Sequence, residues 1–451
     1  MPLRARQRGA PVMRHPALAV ALGYALATLV GTLLLLLPAA RVPTESPSVV
    51  TALFTATSAV CVTGLTVVDT ATYWTSFGQV VLTGLGQVGG IGIMTLASLL
   101  GISVSRRLGV RSRLLAKAET AALDLGDVRS VLRGVVRISL LIEAVVALAL
   151  MLRLWIGYGE SVGRAAWLGV FHAVSAFNNS GFTLWSDGLA RFVGDPWINV
   201  PVLVAIILGG LGFPVLLELL RDRAHPSRWT LHTRLTVVVS GALVLAGTVA
   251  VTALEWANPR TLGALTVPDR LLAGLFQGIT PRSAGLSTVD YGQMHDTTWL
   301  VTDALMFVGG GSGGTAGGIK VTTFAVLLLA IIAEIRGNDA AEAFGRAVPA
   351  AVLRQSVSVL VIAGSTIAAA TLALMGLAEV GLDRALFETI SAFATVGLTT
   401  GITPDLPAAG KLLLVALMFV GRVGTISLAS VLALRSSARL YRLPEERPIV
   451  G

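Results

Sequence analysis

The sequence predicts an all-α integral membrane protein in which four M1–P–M2 repeats (membrane helix, re-entrant pore loop, membrane helix) surround a pseudo-four-fold pore. The first observation is composition: 54% of the residues are hydrophobic and 13% are charged, too apolar for an ordinary soluble protein. The second is a set of eight apolar segments of the ~20-residue length that crosses a bilayer. The third is a short Phe-to-Gly segment between the two members of each pair. The eight predicted transmembrane helices are residues 17–38, 77–101, 134–157, 197–220, 233–254, 299–333, 352–377 and 411–434.

The Phe-to-Gly segments recur at a nearly constant length. From phenylalanine to glycine they measure 10, 10, 9 and 10 residues, and the glycines lie 117, 104 and 112 residues apart. Matched spacing between paired membrane helices is typical of a pore built by one chain with four-fold pseudosymmetry. The four segments are Phe54–Gly64, Phe171–Gly181, Phe276–Gly285 and Phe387–Gly397. Cap-like residues precede each one, namely Pro47 with Ser48, Ser161, Pro268 with Asp269, and Asp383.

Each segment leaves room for about ten helical residues, too few to span a bilayer, so the chain must return as extended backbone. The C-terminal ends of half-spanning helices favour a cation. Side chains differ among the four returns while the glycine recurs, which favours coordination by backbone carbonyls. The predicted selectivity-filter residues are Cys61, Val62, Thr63, Gly64, Asn178, Asn179, Ser180, Gly181, Arg282, Ser283, Ala284, Gly285, Ala394, Thr395, Val396 and Gly397. Arg282 is expected to support its loop from behind, because its three counterparts are neutral.

The second helix of each repeat carries mid-membrane glycines, which allow close helix packing or an ion-filled cavity. The third repeat departs most, since Gly309–Gly318 holds seven glycines in ten residues. We expect the helix to break there into an intramembrane loop below the filter, with the buried charge of Arg422 against it as a barrier. An ion pair of Arg422 with Asp303 or Glu143 is the alternative. The candidate gate residues are Gly309, Gly310, Gly311, Ser312, Gly313, Gly314, Thr315, Gly317, Gly318, Lys320 and Arg422.

Charge distribution predicts the topology. The net charge is +9, and arginines gather in alternate connections, so both termini should be cytoplasmic and all four pore segments should lie on the outer side. Topology explains the basic residues better than nucleic-acid binding does. The predicted parts are a cytoplasmic N-terminus (1–16), repeat 1 (17–101), a cytoplasmic connector (102–133), repeat 2 (134–220), a loop (221–232), repeat 3 (233–333), a loop (334–351), repeat 4 (352–434) and a cytoplasmic C-terminus (435–451). The first apolar segment is expected to be an uncleaved signal anchor.

Four stretches carry a resemblance to a known family: FHAVSAFNNSGF (171–182), FQGITPRSAGLST (276–288), FETISAFATVGLTTG (387–401) and GGGSGGTAGGIKVTT (309–323). They resemble the Trk/Ktr/HKT superfamily of potassium transporters over essentially the whole chain, and eight spans resemble its bacterial KtrB-type subunit. The resemblance implies K+ translocation, often with Na+, in a homodimer within the lipid of the bacterial cell membrane. Gly64 resembles the potassium-selective branch, whereas Asn178 and Cys61 depart from the family pattern.

The resemblance also implies a cytoplasmic ring of KtrA-type regulatory subunits that bind nucleotide, with no cofactor in this chain besides the transported ion. We therefore expect potassium uptake driven by the membrane potential, which supplies about 2.3 kcal/mol per charge per 100 mV, and no enzymatic activity. The alternatives are a related Na+ transporter, a coupled secondary transporter with inverted repeats, an intramembrane enzyme and a non-conducting scaffold. Inverted repeats would alternate in orientation, and the intramembrane charges are too scattered for an enzyme. A scaffold would not need four filter glycines.

Overall fold

The structure is a computed structural model that describes residues 16–43, 48–107 and 128–424. The predicted C-terminal segment (435–451), nearly all of the N-terminal segment (1–16), Pro47 and most of the 102–133 connector lie outside these residues. The described chain is mainly helical. In order, its helices are α1 (Pro16–Leu36), α2 (Val49–Val60), α3 (Thr70–Tyr73), α4 (Ser76–Arg107), α5 (Val128–Tyr158), α6 (Val162–Asn178), α7 (Pro196–Leu211), α8 (Phe213–Asp222), α9 (Leu231–Glu255), α10 (Val267–Ile279), α11 (Asp296–Phe307), α12 (Val321–Arg336), α13 (Ala350–Leu377), α14 (Leu382–Phe393) and α15 (Ala408–Phe419).

The smaller elements of the described chain include a hairpin and a π-helical turn. An antiparallel hairpin pairs β1 (Glu342–Ala343) with β2 (Arg346–Ala347) between α12 and α13. A π-helical turn, Val420–Gly424, follows α15 directly. The turn carries Arg422, so the buried guanidinium sits on a locally widened piece of helix, a feature often found at functional sites.

Within residues 16–43, 48–107 and 128–424, four helices are long and apolar enough to cross a membrane, or five if a bent pair counts as one span. The four are Ser76–Leu96, Ser130–Tyr158, Leu231–Glu255 and Ala350–Leu377. The bent pair is α7 and α8, which meet at 105°. Gly212 permits the bend with a φ of +99°, a conformation that residues with a Cβ rarely adopt. The full set of eight spans stays a prediction.

The predicted break in the third repeat is present as a non-helical segment. Helix α11 ends at Phe307 and α12 begins at Val321. Between them the chain folds back on itself, because the Gly309 amide donates to the carbonyl of Ile319 at 2.9 Å and the Val321 amide donates to that of Gly310 at 3.1 Å. We call Gly309–Gly318 the glycine loop.

The short helices α2, α6, α10 and α14 begin in two ways. Ser48 and Ser161 are N-caps, with side chains that accept from backbone amides three residues on. The prediction for the other two helices was wrong in position. Their N-caps are Thr266 and Gly381, and neither makes a side-chain cap bond. The predicted residues Pro268, Asp269 and Asp383 lie inside the first turn, where a proline's missing N–H costs nothing and a carboxylate complements the helix dipole.

The four short helices form part of the buried core. Their phenylalanines, Phe54, Phe171, Phe276 and Phe387, are at most 2% exposed. Large apolar side chains on the longer helices instead face outward, as Leu141 of α5 does at 66% exposure. An apolar exterior around a buried, partly polar interior is the arrangement expected of a helical protein surrounded by lipid.

Candidate functional site

The four glycines that end the Phe-to-Gly segments form a closed ring, here called the glycine ring. A Cβ added at Gly64 would lie 2.7 Å from the Cα of Gly181, and one added at Gly181 would lie 3.1 Å from that of Gly285. Continuing round, a Cβ at Gly285 would lie 3.3 Å from the Cα of Gly397, and one at Gly397 would lie 3.0 Å from that of Gly64. The ring therefore follows sequence order and brings together residues from all four predicted repeats.

Backbone conformation repeats around the ring. The four glycines have φ between +68° and +93°. Two residues before each of them stands a non-glycine residue with positive φ: Val62 (57°), Asn179 (58°), Ser283 (80°) and Thr395 (49°). Such values are uncommon without glycine and cost about 1–3 kcal/mol each, so they persist only where the surrounding structure imposes them. The same strained turn is thus built four times from different side chains.

The carbonyl group before each glycine faces the neighbouring glycine. A Cβ at Gly64 would lie 2.7 Å from the Ser180 oxygen, and one at Gly285 would lie 2.6 Å from the Val396 oxygen. A Cβ at Gly397 would collide with the Thr63 oxygen. Backbone oxygens thus crowd the places where side chains would otherwise be, which makes glycine a requirement of both conformation and space.

Most of the side chains predicted for the filter point into packing contacts. Cys61, Val62, Ala284, Ala394 and Val396 are at most 1% exposed. The Ser283 hydroxyl donates to the Thr395 carbonyl at 2.7 Å and joins the third return to the fourth. The groups of the site that remain available for binding are therefore mainly backbone atoms.

Asn178, the first residue of the second return, turns its side chain away from the ring. Its amide nitrogen donates to Glu143 of α5 at 3.0 Å and to Gln87 of α4 at 2.6 Å. Gln87 in turn donates to both Glu143 oxygens, at 3.0 and 2.9 Å. Glu143 is 5% exposed. Among the described residues its partners are the amides of Gln87 and Asn178, and it forms no ion pair with Arg422. The departure from the family pattern at Asn178 therefore serves a buried polar cluster behind the second return.

Sequence reasoning missed the role of this cluster. Glu143 lies inside the apolar segment 134–157, and the sequence indicates it only as an alternative ion-pair partner for Arg422. An intramembrane acid is a candidate functional residue by default, but its partners lie 56 and 35 residues away in the sequence. No local spacing rule connects residues so far apart.

The Arg282 side chain contacts elements beside its return, and its supporting role stays a prediction. Its guanidinium donates to the Ser240 carbonyl at 2.9 Å and to the Gly309 carbonyl at 2.9 Å. It is 8% exposed. The charge thus ties the third return to α9 and to the start of the glycine loop.

The glycine loop lies against three of the four returns or their helices. The Gly317 amide donates to the Ser283 hydroxyl at 2.8 Å, and a Cβ at Gly318 would lie 3.3 Å from the Ala394 side chain. The Thr315 amide donates to the Gly209 carbonyl in the last turn of α7 at 3.0 Å. The loop is therefore placed where its displacement would disturb the second, third and fourth repeats together.

Besides Arg282, two cationic side chains contact the glycine loop. Arg422 is 1% exposed and donates to the carbonyl of Thr315. Lys320 donates to the carbonyl of Ala316 at 2.5 Å. The expected contact between Arg422 and the loop is present, and Asp303 is not its ion-pair partner among the described residues. The barrier role of Arg422 stays a prediction.

The glycines predicted to lie at mid-membrane allow close approach to the short helices. A Cβ at Gly89 would collide with the Val60 carbonyl at the end of α2, and one at Gly209 with the Phe177 carbonyl in the last turn of α6. A Cβ at Gly421 would collide with the Phe393 carbonyl at the end of α14. The matching Gly309 would instead meet Gly317 of the glycine loop. Small residues at such crossings are typical of packed membrane helices.

Comparison with known proteins gives consistent results. The TrkH family, described as a cation transport protein, matches residues 26–440. The Ktr system potassium uptake protein B of Bacillus subtilis is 39% identical over 97% of this chain and 97% of its own length. The potassium/sodium uptake protein NtpJ of Enterococcus hirae is 34% identical over 100% and 99%. The solved potassium transporter TrkH from Vibrio parahaemolyticus has a TM-score of 0.70 and 20% identity, and the match covers 94% of this chain and 86% of that one.

The fold and the site define a multi-pass helical membrane protein built around a ring of backbone oxygens. The chain belongs to the TrkH family of cation transport proteins. The resemblance noted from the sequence is thereby confirmed, and this is a family of transporters rather than of enzymes.

Proposed function

We propose that this chain is the K+-translocating membrane subunit of a Ktr-type potassium uptake system. The glycine ring carries the proposal, because it brings backbone carbonyls of four repeats to one place. Carbonyl cages replace the hydration shell of a large monovalent cation, whereas anion sites use converging N–H groups. The relatives named as Ktr system potassium uptake proteins in Bacillus subtilis and Vibrio alginolyticus support K+ as the ion.

The proposed pathway runs through four filter segments: Cys61–Gly64, Asn178–Gly181, Arg282–Gly285 and Ala394–Gly397. Eight spans in four M1–P–M2 repeats surround it, and both termini face the cytoplasm of a bacterial cell. The glycine loop and Arg422 form the gate on the cytoplasmic side of the filter. The membrane potential drives entry, at about 2.3 kcal/mol per charge per 100 mV, so no hydrolysis site is required in this chain.

The proposed assembly is a homodimer in lipid that contacts a cytoplasmic ring of nucleotide-binding regulatory subunits. Support for a partner comes from relatives named as components of a Ktr system. Na+ transport is the second candidate, since NtpJ is named a potassium/sodium uptake protein. Nucleotide is assigned to the separate subunit and not to this chain.

Growth rescue tests the proposal. The chain, expressed with a Ktr regulatory subunit, should restore growth of a K+-uptake-deficient bacterium in low potassium. The variants Gly64→Ser and Gly397→Asp, at equal membrane levels, should not restore growth. Each substitution adds side-chain atoms at a position that neighbouring residues of the ring already occupy. Rescue by both variants would refute the filter assignment. A well-expressed wild type that moves Na+ but neither K+ nor Rb+ would favour the second candidate.

A further inference from the structure

The residue after each core phenylalanine is polar and buried. These residues are Thr55, His172, Gln277 and Glu388, and each is at most 1% exposed. Two positions after each ring glycine the chain places a hydroxyl, at Thr66, Thr183, Ser287 and Thr399. Buried polar side chains require partners. In three repeats the two sets of residues are partners of each other.

In the second repeat His172 is an acceptor toward the segment that leaves the ring. Its Nδ1 lies 2.8 Å from the Leu168 carbonyl, which can only accept, so Nδ1 carries the hydrogen and Nε2 is free to accept. Nε2 lies 3.2 Å from the Thr183 hydroxyl and accepts from the Leu184 amide at 3.2 Å. One imidazole thus holds the second and third residues after the ring glycine.

Glu388 makes the same pair of contacts in the fourth repeat. Its carboxylate accepts from the Thr399 hydroxyl and from the Thr400 amide at 3.0 Å. It also accepts from the Thr403 hydroxyl at 2.8 Å. Histidine in the second repeat and glutamate in the fourth repeat therefore make equivalent hydrogen bonds to their returns, although their side chains differ.

Gln277 serves the third repeat with one contact to each position. Its Oε1 accepts from the Ser287 hydroxyl at 3.2 Å, and its Nε2 donates to the Thr288 hydroxyl at 3.0 Å. In the first repeat the equivalent Thr55 hydroxyl is buried and has no hydrogen-bond partner among the residues that the structure describes. In three repeats the chain that follows the ring glycine is therefore hydrogen-bonded to the short helix, and we call this contact the brace. Among the described residues the first repeat has no such contact.

We propose that His172, Gln277 and Glu388 are positioning residues that fix the diameter of the ring and so set the discrimination between K+ and Na+. The inference rests on the proposed function. Each return is held at two points, by the end of its short helix and by the brace, with the ring glycine between them. A carbonyl cage discriminates by size only if its oxygens cannot relax inward onto a smaller ion.

The test compares Rb+ and Na+ uptake through the chain with its regulatory subunit in cells. His172→Leu, Gln277→Leu and Glu388→Leu remove the braces, and Thr399→Val removes one hydroxyl without changing volume. We expect a roughly tenfold fall in the Rb+/Na+ uptake ratio for the Leu variants, equal to ~1.4 kcal/mol. Total cation uptake should persist, because no ring atom is removed.

Two matched variants separate positioning from general destabilisation. His172→Gln installs in the second repeat the residue used by the third, and it should restore most of the ratio lost in His172→Leu. Thr55→Val changes the equivalent position of the unbraced repeat and should leave the ratio unchanged. If any Leu variant is absent from the membrane, Thr399→Val supplies the test, with a smaller fall in the same direction.

The outcomes separate the two claims. A wild type that prefers Rb+, with brace variants of equal membrane level and equal ratio, would overturn the brace and leave the proposed function standing. A wild type without Rb+ preference would overturn the proposed function and the brace with it. Loss of all uptake in Thr399→Val at normal membrane level would also contradict a role confined to discrimination.

Discussion

The side-chain amide of Asn179 donates a 2.7 Å hydrogen bond to the hydroxyl of Thr315, across 136 residues of sequence. The same hydroxyl lies 3.3 Å from the Phe177 carbonyl, to which it donates. The Thr315 carbonyl accepts from Arg422. One residue of the glycine loop thus joins the second return to the helix of the fourth repeat, and this link connects the proposed gate to the proposed filter.

Replacing Thr315 should loosen the loop. Thr315→Val keeps the shape but removes the hydroxyl, leaving a buried amide and carbonyl without that partner at about 1–3 kcal/mol. We expect higher basal Rb+ uptake without activating nucleotide, because the closed loop loses stability relative to open states. Thr302→Val is the control, since the Thr302 hydroxyl is buried and has no hydrogen-bond partner within the described part of the chain. Equal basal uptake in both variants would contradict the coupling.

Arg422 should oppose basal ion passage by its charge. Arg422→Ala removes a buried cation, and we expect basal Rb+ uptake to rise roughly tenfold, as a ~1.4 kcal/mol change in barrier would give. Arg422→Lys keeps the charge and should keep most of the barrier. Uptake by Arg422→Ala that equals wild type, both with and without activating nucleotide, would remove the gating role.

Mid-helix glycines on one helix should differ sharply in tolerance. In α4 a Cβ at Gly89 would collide with the Val60 carbonyl, whereas one at Gly84 would meet nothing within 4 Å. Gly89→Ala should therefore destabilise by about 1–3 kcal/mol through overpacking, and Gly84→Ala should be neutral. Thermal unfolding of the two purified variants in detergent measures the difference. Equal midpoints would show that α2 and α4 do not pack as described.

The buried cluster behind the second return should be sensitive to loss of its acceptor. Glu143→Ala leaves the amides of Gln87 and Asn178 without their shared carboxylate, at about 1–3 kcal/mol. We expect a lower unfolding temperature and weaker Rb+ uptake. Glu143→Gln keeps one acceptor oxygen and should lie between Glu143→Ala and wild type. A Glu143→Ala variant as stable and active as wild type would show that the cluster is dispensable.

The sequence predicts the structural features that depend on neighbouring residues in the chain. Phe-to-Gly spacing predicts four short helices that end near glycines, and seven glycines in ten residues predict the break after Phe307. Both follow from backbone conformation, which nearby residues decide. The strained turns that begin two residues before each ring glycine were not predicted, because Val62 and Thr395 disfavour positive φ in isolation.

Long-range partners could not be predicted. Asn178 is predicted as a filter residue from its position beside the ring glycine, but no local pattern indicates that its side-chain amide donates to Glu143 on α5. The hydrogen bonds of His172 with Thr183 and Leu184 form only because the return folds back beside α6. Such contacts depend on the tertiary arrangement of helices and returns, which local sequence rules do not specify.

Na+ competition against Rb+ uptake tests the central claim most directly. Cells expressing the wild type or Gly64→Ser with the regulatory subunit would be compared at equal membrane levels. The account predicts wild-type Rb+ uptake that resists excess Na+, and Gly64→Ser uptake that Na+ suppresses, because the serine side chain meets Gly181 and Ser180 in the ring. Identical competition curves for the two proteins would contradict selection at the glycine ring.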